Sequence, residues 1–412
     1  MISCFKGGTS NFWRKSYENT QGALYTSSTI STDDMPRISK IIESLKQYDV
    51  FKYSAYRTAF KLRTIQKASK LHMVDLSVIG SILKDYECSN QSIEEPITPS
   101  KAENLLCALY TEASKKIGFT EEPNLMALLF LAFLQNTFVE AEKPLLFIHV
   151  KIALTLFSAA KLSGENKYLF YHCSGGTSIS KENLELLLKS LSKMAEIVGE
   201  QVTFGSHLVP AAVKHCLKFC KGRITEKKFN KWLSLEPQTT VWISTLHRIS
   251  ASEKIQHTVT CSHCQVNPII GLRYRCLQCI NYNLCQNCFL CGQRNQGHKE
   301  RHPVQEFCLP ASVWEETKAT MNAIKNKIPF ARCPARPYLS FDDESLYESF
   351  RDPSKNISVK TVQNRSMKMT TNADLIIELS SIINKLEEEK KQISAVVGLY
   401  NEKHAAECRA EV

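Results

Sequence analysis

Eight soft or borderline metal ligands lie in four close pairs between residues 261 and 302. The pairs are Cys261 with Cys264, Cys276 with Cys279, Cys285 with Cys288, and His298 with His302. Zn²⁺ takes four tetrahedral ligands from thiolate and imidazole, so eight ligands suit two closed structural sites. Adjacent pairs can bind in tandem, or alternate pairs can interleave as a cross-brace. Only five residues separate the second pair from the third, which is short for two independent lobes and favours interleaving. Zinc one is then expected on Cys261, Cys264, Cys285 and Cys288, and zinc two on Cys276, Cys279, His298 and His302. Closed sites leave no position for an activated water. They hold a module together, at roughly 10–16 kcal/mol per ion.

Two other chemistries compete for the same residues. Scattered core thiols and surface histidines would not fall into four pairs within so short a stretch. Disulfides need an oxidising compartment, and Met1 to Gly8 contains no sustained apolar run of the kind a secretory signal needs. Eight of the sixteen cysteines lie between Cys261 and Cys308. Cys291 and Cys308 have no pairing partner and stay outside the metal sites. The remainder, scattered singly, read as inert thiols.

The chain has 412 residues, 43% of them hydrophobic, enough for two to four globular units. Its longest apolar run, Leu125 to Leu134, is half of what a bilayer requires and predicts a buried helix. Net charge is +11, and residues 1–70 carry twelve Lys or Arg against five acids. Arg57, Lys61 and Arg63 fall on an amphipathic helical pattern, which predicts a solvated face; contact with an acidic partner or anionic lipid is the alternative. Without interleaved aromatics, no nucleic-acid partner is expected. The chain contains no Gly-x-Ser-x-Gly, Walker loop or His-Glu-x-x-His, so no catalysis is expected either.

Residues 1–33 are Ser/Thr/Gly/Asn-rich and aperiodic, and read as a disordered N-terminus. Helical periodicity runs from Asp34 to Ser250, divided as one domain over 34–158 and a second over 159–250. Leu184, Leu187 and Leu191 share a face, with Ser180 as N-cap. The finger spans 257–308 and is followed by a helix and Pro-rich segment over 309–340. A polar linker occupies 341–370. The fold class is therefore mainly α, with a small finger of short strands and one helix.

From residue 371 a heptad pattern predicts a coiled coil. Ile376, Ile383, Lys390 and Val397 take position a, while Leu379, Leu386, Ile393 and Tyr400 take position d. Lys390 in the seam disfavours a homodimer and favours a partner helix with Glu or Asn near that layer.

Helical pairs with short loops invite an EF-hand test. A calcium loop needs alternating oxygen ligands, a central Gly and a terminal Glu. Phe138 to Pro144 has Pro where the Gly belongs, Cys173 to Ser178 has no acid, and Cys220 to Ile224 carries Lys221 and Arg223. Calcium is not expected.

Several strings, taken in order, resemble the dystrophin family. Tyr53 to Ala59 with Lys61-Leu62-Arg63 resembles the start of its EF-hand-like region. Leu235 to Gln238, Val241-Trp242 and Leu246-His247-Arg248 resemble its end. Pro268 to Gly271, Arg273-Tyr274-Arg275, Asn281-Tyr282 and Cys285 to Phe289 resemble its ZZ zinc finger. The resemblance covers about residues 40–340 and implies two calcium-free EF-hand-like domains and a cross-braced ZZ finger. It further implies a non-enzymatic scaffold, peripheral at the cytoplasmic face of the plasma membrane. Such a scaffold would bind membrane-associated or signalling protein complexes, synaptic ones included, and a dystrobrevin-like coiled-coil partner. Trp13 is the only Trp before Trp232, so dystroglycan binding lacks its usual WW module here. The alternative function is a ZZ peptide-recognition or ubiquitin-pathway adaptor. ZZ fingers that capture basic peptides carry an Asp where Asn283 stands. Arg273, Arg275, Arg294, Lys299 and Arg301 outnumber Glu300 and Glu306, which argues against that specificity.

Overall fold

The structure, a computed structural model, describes residues 40–311 apart from 42, 88–92, 119–121, 141–142, 175, 296 and 300. All of these fall in one compact unit. The expected N-terminal tail, the helix start at Asp34, the segment after the finger, the linker and the coiled coil lie outside the described residues.

Helix α1 (Ser54–Ala68) opens the described helical core. It is followed by α2 (Leu76–Tyr86), α3 (Pro99–Ile117), α4 (Pro123–Phe138) and α5 (Phe147–Phe157). Local chemistry sets the ends of α3: Thr98 accepts from the Lys101 N–H at 3.2 Å, Pro99 opens the first turn, and Gly118 closes at φ +74°. The apolar run at Leu125 forms the middle of α4, with Ala127, Phe130 and Leu134 fully buried, as its length and composition predict.

The next helices are α6 (Leu162–Cys173), α7 (Lys181–Glu196), the single turn α8 (Gln201–Phe204), α9 (Val209–Phe219), α10 (Glu226–Leu233) and α11 (Val241–Ser252). Ser180 caps α7 by accepting from the Asn183 N–H at 3.1 Å, and Leu184, Leu187 and Leu191 point into the core. One continuous apolar core runs from Leu45 to Ile243 through both halves.

The loops pair as EF-hands do. Loop 87–98 meets loop 139–146 through the Ile97 N–H to Leu145 carbonyl bond, 2.8 Å, and the Phe147 N–H to Glu95 carbonyl bond, 2.9 Å. Loop 174–180 meets loop 220–225 through the Ile179 N–H to Ile224 carbonyl bond, 3.0 Å. The first of these four loops had no sequence signature of its own. In or beside the other three, named acceptors are engaged by the chain's own donors. Glu140 is held by Lys143 and Lys193 at 2.9 and 2.8 Å, and these lysines bring its carboxyl down to about 2. The Cys173 carbonyl accepts from the Asn183 amide at 2.9 Å. The Lys228 ammonium donates to the carbonyls of Cys220 and Arg223, at 2.6 and 3.3 Å. A fixed ammonium thus sits among carbonyls of the kind that ligate calcium in an EF-hand loop.

The predicted solvated face of α1 is overturned. Arg57 is bidentate on Glu200, its guanidinium donating to Glu200 Oε2 at 2.7 Å. Lys61 is buried, donating to the Val198 carbonyl at 2.9 Å and pairing with Asp49 at 2.6 Å. Arg63 pairs with Glu253 at 2.9 Å. These cations join α1 to the 198–200 turn and to the end of α11. A helical wheel reports polarity, and here the polar face is covered by another part of the protein.

Another buried polar group sets a pH limit. His149 stacks on Phe138, ring centroids 4.4 Å apart, and its Nδ1 accepts from the Leu146 N–H at 3.3 Å. The bond requires the neutral ring. Burial, then the nearby Lys193, hold its pKa down at about 4. Between about 6.5 and 4 the unfolded chain binds the proton and the folded one does not, so stability falls as pH drops through that window. His149→Asn, which keeps an acceptor but does not titrate, should remove roughly 3 kcal/mol of that loss in urea melts. An unchanged acid slope would refute the neutral acceptor.

Candidate metal centre

The finger grows from α11 through β1 (Gln256–His257), β2 (Ile269–Ile270), β3 (Arg273–Cys276), β4 (Asn283–Cys285), α12 (Gln286–Leu290) and β5 (Val304–Phe307). β1 pairs with β2, and β3 lies between β4 and β5, all antiparallel. Gly271 at φ +91° turns β2 into β3. A Cβ there would stand 2.6 Å from Gln286 Oε1, which accepts from the Leu272 N–H.

The register places the ligand pairs. Arg273 is opposite Cys285 and Arg275 is opposite Asn283, so β4 delivers Cys285 to one end of the ladder while β3 delivers Cys276 to the other. The structure brings Cys261, Cys264, Cys285 and Cys288 together at one end, and Cys276, Cys279, His298 and His302 together at the other. Within each group all ligand atoms lie within 4.8 Å of one another. Alternate pairs combine, as in the interleaved arrangement.

The distances fit a tetrahedral ion. Bonds of about 2.3 Å to sulfur and about 2.05 Å to nitrogen give tetrahedral edges of about 3.7 Å for S–S and about 3.6 Å for S–N. The Cys264 and Cys285 Sγ atoms are 3.7 Å apart. The Cys279 Sγ to His298 Nδ1 distance is 3.6 Å, and Cys276 Sγ to His302 Nδ1 is 3.7 Å. Donor type, number and spacing fit zinc.

Backbone amides prepare the thiolates. The N–H groups of Gln278 and Cys279 donate to Cys276 Sγ at 3.3 and 3.2 Å. Burial pushes the Cys261 thiol up, but the N–H groups of Cys285, Cys264 and His263 outweigh it and bring it down to about 7. Burial and the facing thiols push Cys288 well up. The amides favour the Cys261 thiolate, while burial holds the Cys285 and Cys288 thiols up until a cation pairs with them, which is how a structural metal couples to folding. Tyr282 stacks on His298 at 4.3 Å and orients its ring. Cys291 and Cys308 lie outside both groups; the Cys308 thiol points at Glu306 Oε1.

The residues that sequence reasoning missed are those joining the finger to the helices. Ile269, Leu272, Tyr274, Leu284 and Leu290 share one apolar cluster with Phe51, Tyr56, Ala59, Leu246 and Ile249. Phe289 stacks between Tyr274 (3.8 Å) and Tyr53 (5.2 Å). Glu306 on β5 is 5% exposed. It accepts from Arg248 Nε of α11 at 2.9 Å and from the Tyr56 hydroxyl of α1. Arg248 in turn donates to Glu236 at 2.9 Å and Thr245 at 3.0 Å. The only sequence signal was a lone acid within an otherwise half-apolar strand.

The charge count over the finger also needs correction. Arg273 and Arg275 are 2% and 1% exposed, so they are not surface charge. Arg273 donates to the Asn283 side-chain oxygen at 2.9 Å and lies over the Phe307 ring. Glu306 is buried as well. Arg294, Lys299 and Arg301 remain on the surface.

Comparison with known proteins agrees with this architecture. Residues 39–158 match the family described as EF hand, 162–250 that described as EF-hand, and 255–300 the zinc finger of ZZ type. Dystrophin-related protein 2 of Homo sapiens is 30% identical over 314 residues, 74% of this chain and 33% of that protein. The chain belongs to the dystrophin family. Dystrophin-1 of Caenorhabditis elegans is 33% identical over 70% of this chain and 8% of its own length. Dystrotelin of Danio rerio is 32% identical over 68% of this chain and 44% of its own. The chain thus spans less than half of each of these dystrophin-family relatives. The ZZ match stops at residue 300, whereas the finger continues through His302 and β5.

Removing the Glu306 charge tests the junction. Glu306→Gln leaves Arg248 with Glu236 as its remaining carboxylate partner and should cost about 2 kcal/mol, read as lower melting temperature and faster proteolysis near 250–260. Zinc content should not change. A loss of zinc with no loss of stability would show that Glu306 serves the metal sites instead.

Proposed function

We propose that this chain is a non-enzymatic, zinc-binding scaffold that assembles protein partners at the cytoplasmic face of the plasma membrane. The carrying observation is the fusion of a finger, with two closed four-ligand groups, to a double EF-hand-like body through one buried core and the Glu306 junction. A composite body of this kind offers a wide, fixed surface, and saturated metal sites serve shape instead of turnover. Membership of the dystrophin family supports the same reading. Among the described residues no helix is long and apolar enough to cross a membrane, which suits a peripheral attachment.

Two zinc ions are held, one by Cys261, Cys264, Cys285 and Cys288, the other by Cys276, Cys279, His298 and His302. Calcium is expected to have no part, since Lys228, Asn183, Lys143 and Lys193 already engage acceptors in or beside three of the four loops. Metal analysis of the purified chain should return two zinc per molecule. Cys261→Ser should melt the finger, Cys291→Ser should not, and millimolar calcium should leave the melting temperature unchanged. Fewer than two zinc per folded chain would defeat the assignment.

Residues 371–412 supply the second contact, a coiled coil with a dystrobrevin-like partner through Ile376, Leu379, Ile383, Leu386, Ile393, Val397 and Tyr400. Lys390 in both strands of a homodimer would set two ammonium groups in the seam. Sedimentation should show weak self-association that Lys390→Ile strengthens, and tighter association with the partner's coiled-coil segment. A tight self-dimer indifferent to Lys390→Ile would mean the seam has another register.

A further inference from the structure

The hairpin of α9, loop 220–225 and α10 carries an isolated field of positive charge. From residue 201 to 235 there are seven Lys or Arg and a single acid, Glu226. Lys214, Lys218, Lys221, Arg223, Lys227 and Lys231 are all exposed. None of these six has an ion-pair partner among the described residues, whereas several surface lysines elsewhere do: Lys46 with Glu43, Lys115 and Lys116 with Glu112, Lys189 with Glu185. Lys228 alone turns inward, where its bonds to the Cys220 and Arg223 carbonyls fix the loop that presents its neighbours.

The arrangement costs stability. Lys214 with Lys218, and Lys227 with Lys231, are like-charge i,i+4 pairs on exposed helix faces. Lys221 adopts φ +53°, a conformation unfavourable for a side chain of its kind. The left-handed turn is compensated locally, since the N–H groups of Lys221 and Gly222 close the end of α9 on the carbonyls of Lys218 and Leu217, at 3.2 and 2.9 Å. The like-charge pairs have no such offset among the described ion pairs, and an anionic partner would supply it.

We infer that this hairpin is a docking surface for an anionic lipid bilayer. Five of the six cations are lysines, point charges suited to a diffuse negative surface, where the arginine fork would serve a bidentate site. No aromatic side chain is exposed between them for stacking nucleic acid, and no sheet edge is available for adding a peptide strand. Six cations spread over two helices and a turn match a planar array of headgroups, with attraction that salt screens. The inference deepens the membrane-peripheral reading and rests on it only for which leaflet is met.

The test uses the full, zinc-loaded chain with vesicles of phosphatidylcholine, with and without about 30% phosphatidylserine. Each lysine at the surface is worth about fivefold in affinity. Replacing Lys214, Lys218, Lys227 and Lys231 by Gln should therefore weaken binding to the anionic vesicles by on the order of 100-fold or more. A control replacing Lys84, Lys115, Lys116 and Lys189 by Gln removes the same net charge and should change binding less than about threefold. Zinc content and melting temperature, measured on both variants, separate failure of this surface from failure of the zinc scaffold. Equal losses in the two variants, or no preference for anionic vesicles, would overturn the inference. So would an acidic peptide or single-stranded RNA that displaces the chain from vesicles at equal negative charge through the same four lysines, since it would assign the surface to that partner.

Discussion

The architecture depends on one buried carboxylate. Glu306 lies at the meeting point of three elements that are far apart in sequence: β5 of the finger, α11 through Arg248, and α1 through Tyr56. A carboxylate taken from water needs its charge matched and its oxygens bonded. Here one oxygen meets a guanidinium and the other a phenol hydroxyl, so the acid is satisfied only when all three elements are in place. The apolar cluster around it is not directional and could tolerate sliding. The ion pair is directional, and it fixes the angle at which the finger sits on the helices.

That junction changes the meaning of the metal sites. A finger of this size buries too little apolar surface to fold alone, and two ions would ordinarily be its whole stabilisation. In this chain Ile269, Leu272, Tyr274, Leu284 and Leu290 also complete a core begun by Phe51, Tyr56, Leu246 and Ile249. Cys261, Cys285 and Cys288 belong to the same cluster, so the first ligand group and the helices support one shared core. The ladder of β3 and β4 connects them, since Arg273 and Arg275 stand opposite Cys285 and Asn283.

The parts of this that were legible in sequence are those written in local spacing. The cysteine and histidine pairs show their chemistry because a tetrahedral knuckle needs two ligands a short turn apart, and the interleaving followed from a five-residue gap. The helix at Leu125 and the cap at Ser180 were legible for the same reason. The roles of Arg57, Lys61, Arg63, Arg273 and Arg275 were not. Each looks like surface charge until its partner is known, and Glu200, which Arg57 grips, is 143 residues away. Loop 87–98 was missed because its identity as a hand comes from pairing with loop 139–146, a contact made by backbone atoms.

The same sorting of charge reaches the loops of the EF-hand-like halves. An EF-hand changes shape because its loop oxygens are unsatisfied until an ion arrives. In loop 220–225 two carbonyls already hold the Lys228 ammonium, and in loop 139–146 Glu140 already holds two lysines. The ammonium is carried by α10 itself, so the contact ties the loop to the helix that follows it. That contact joins the ends of α9 and α10, the two helices that carry Lys214, Lys218, Lys227 and Lys231. A cation of the chain's own thus lies where an EF-hand loop would offer its carbonyls to an ion, and what it braces is the turn that presents the lysines.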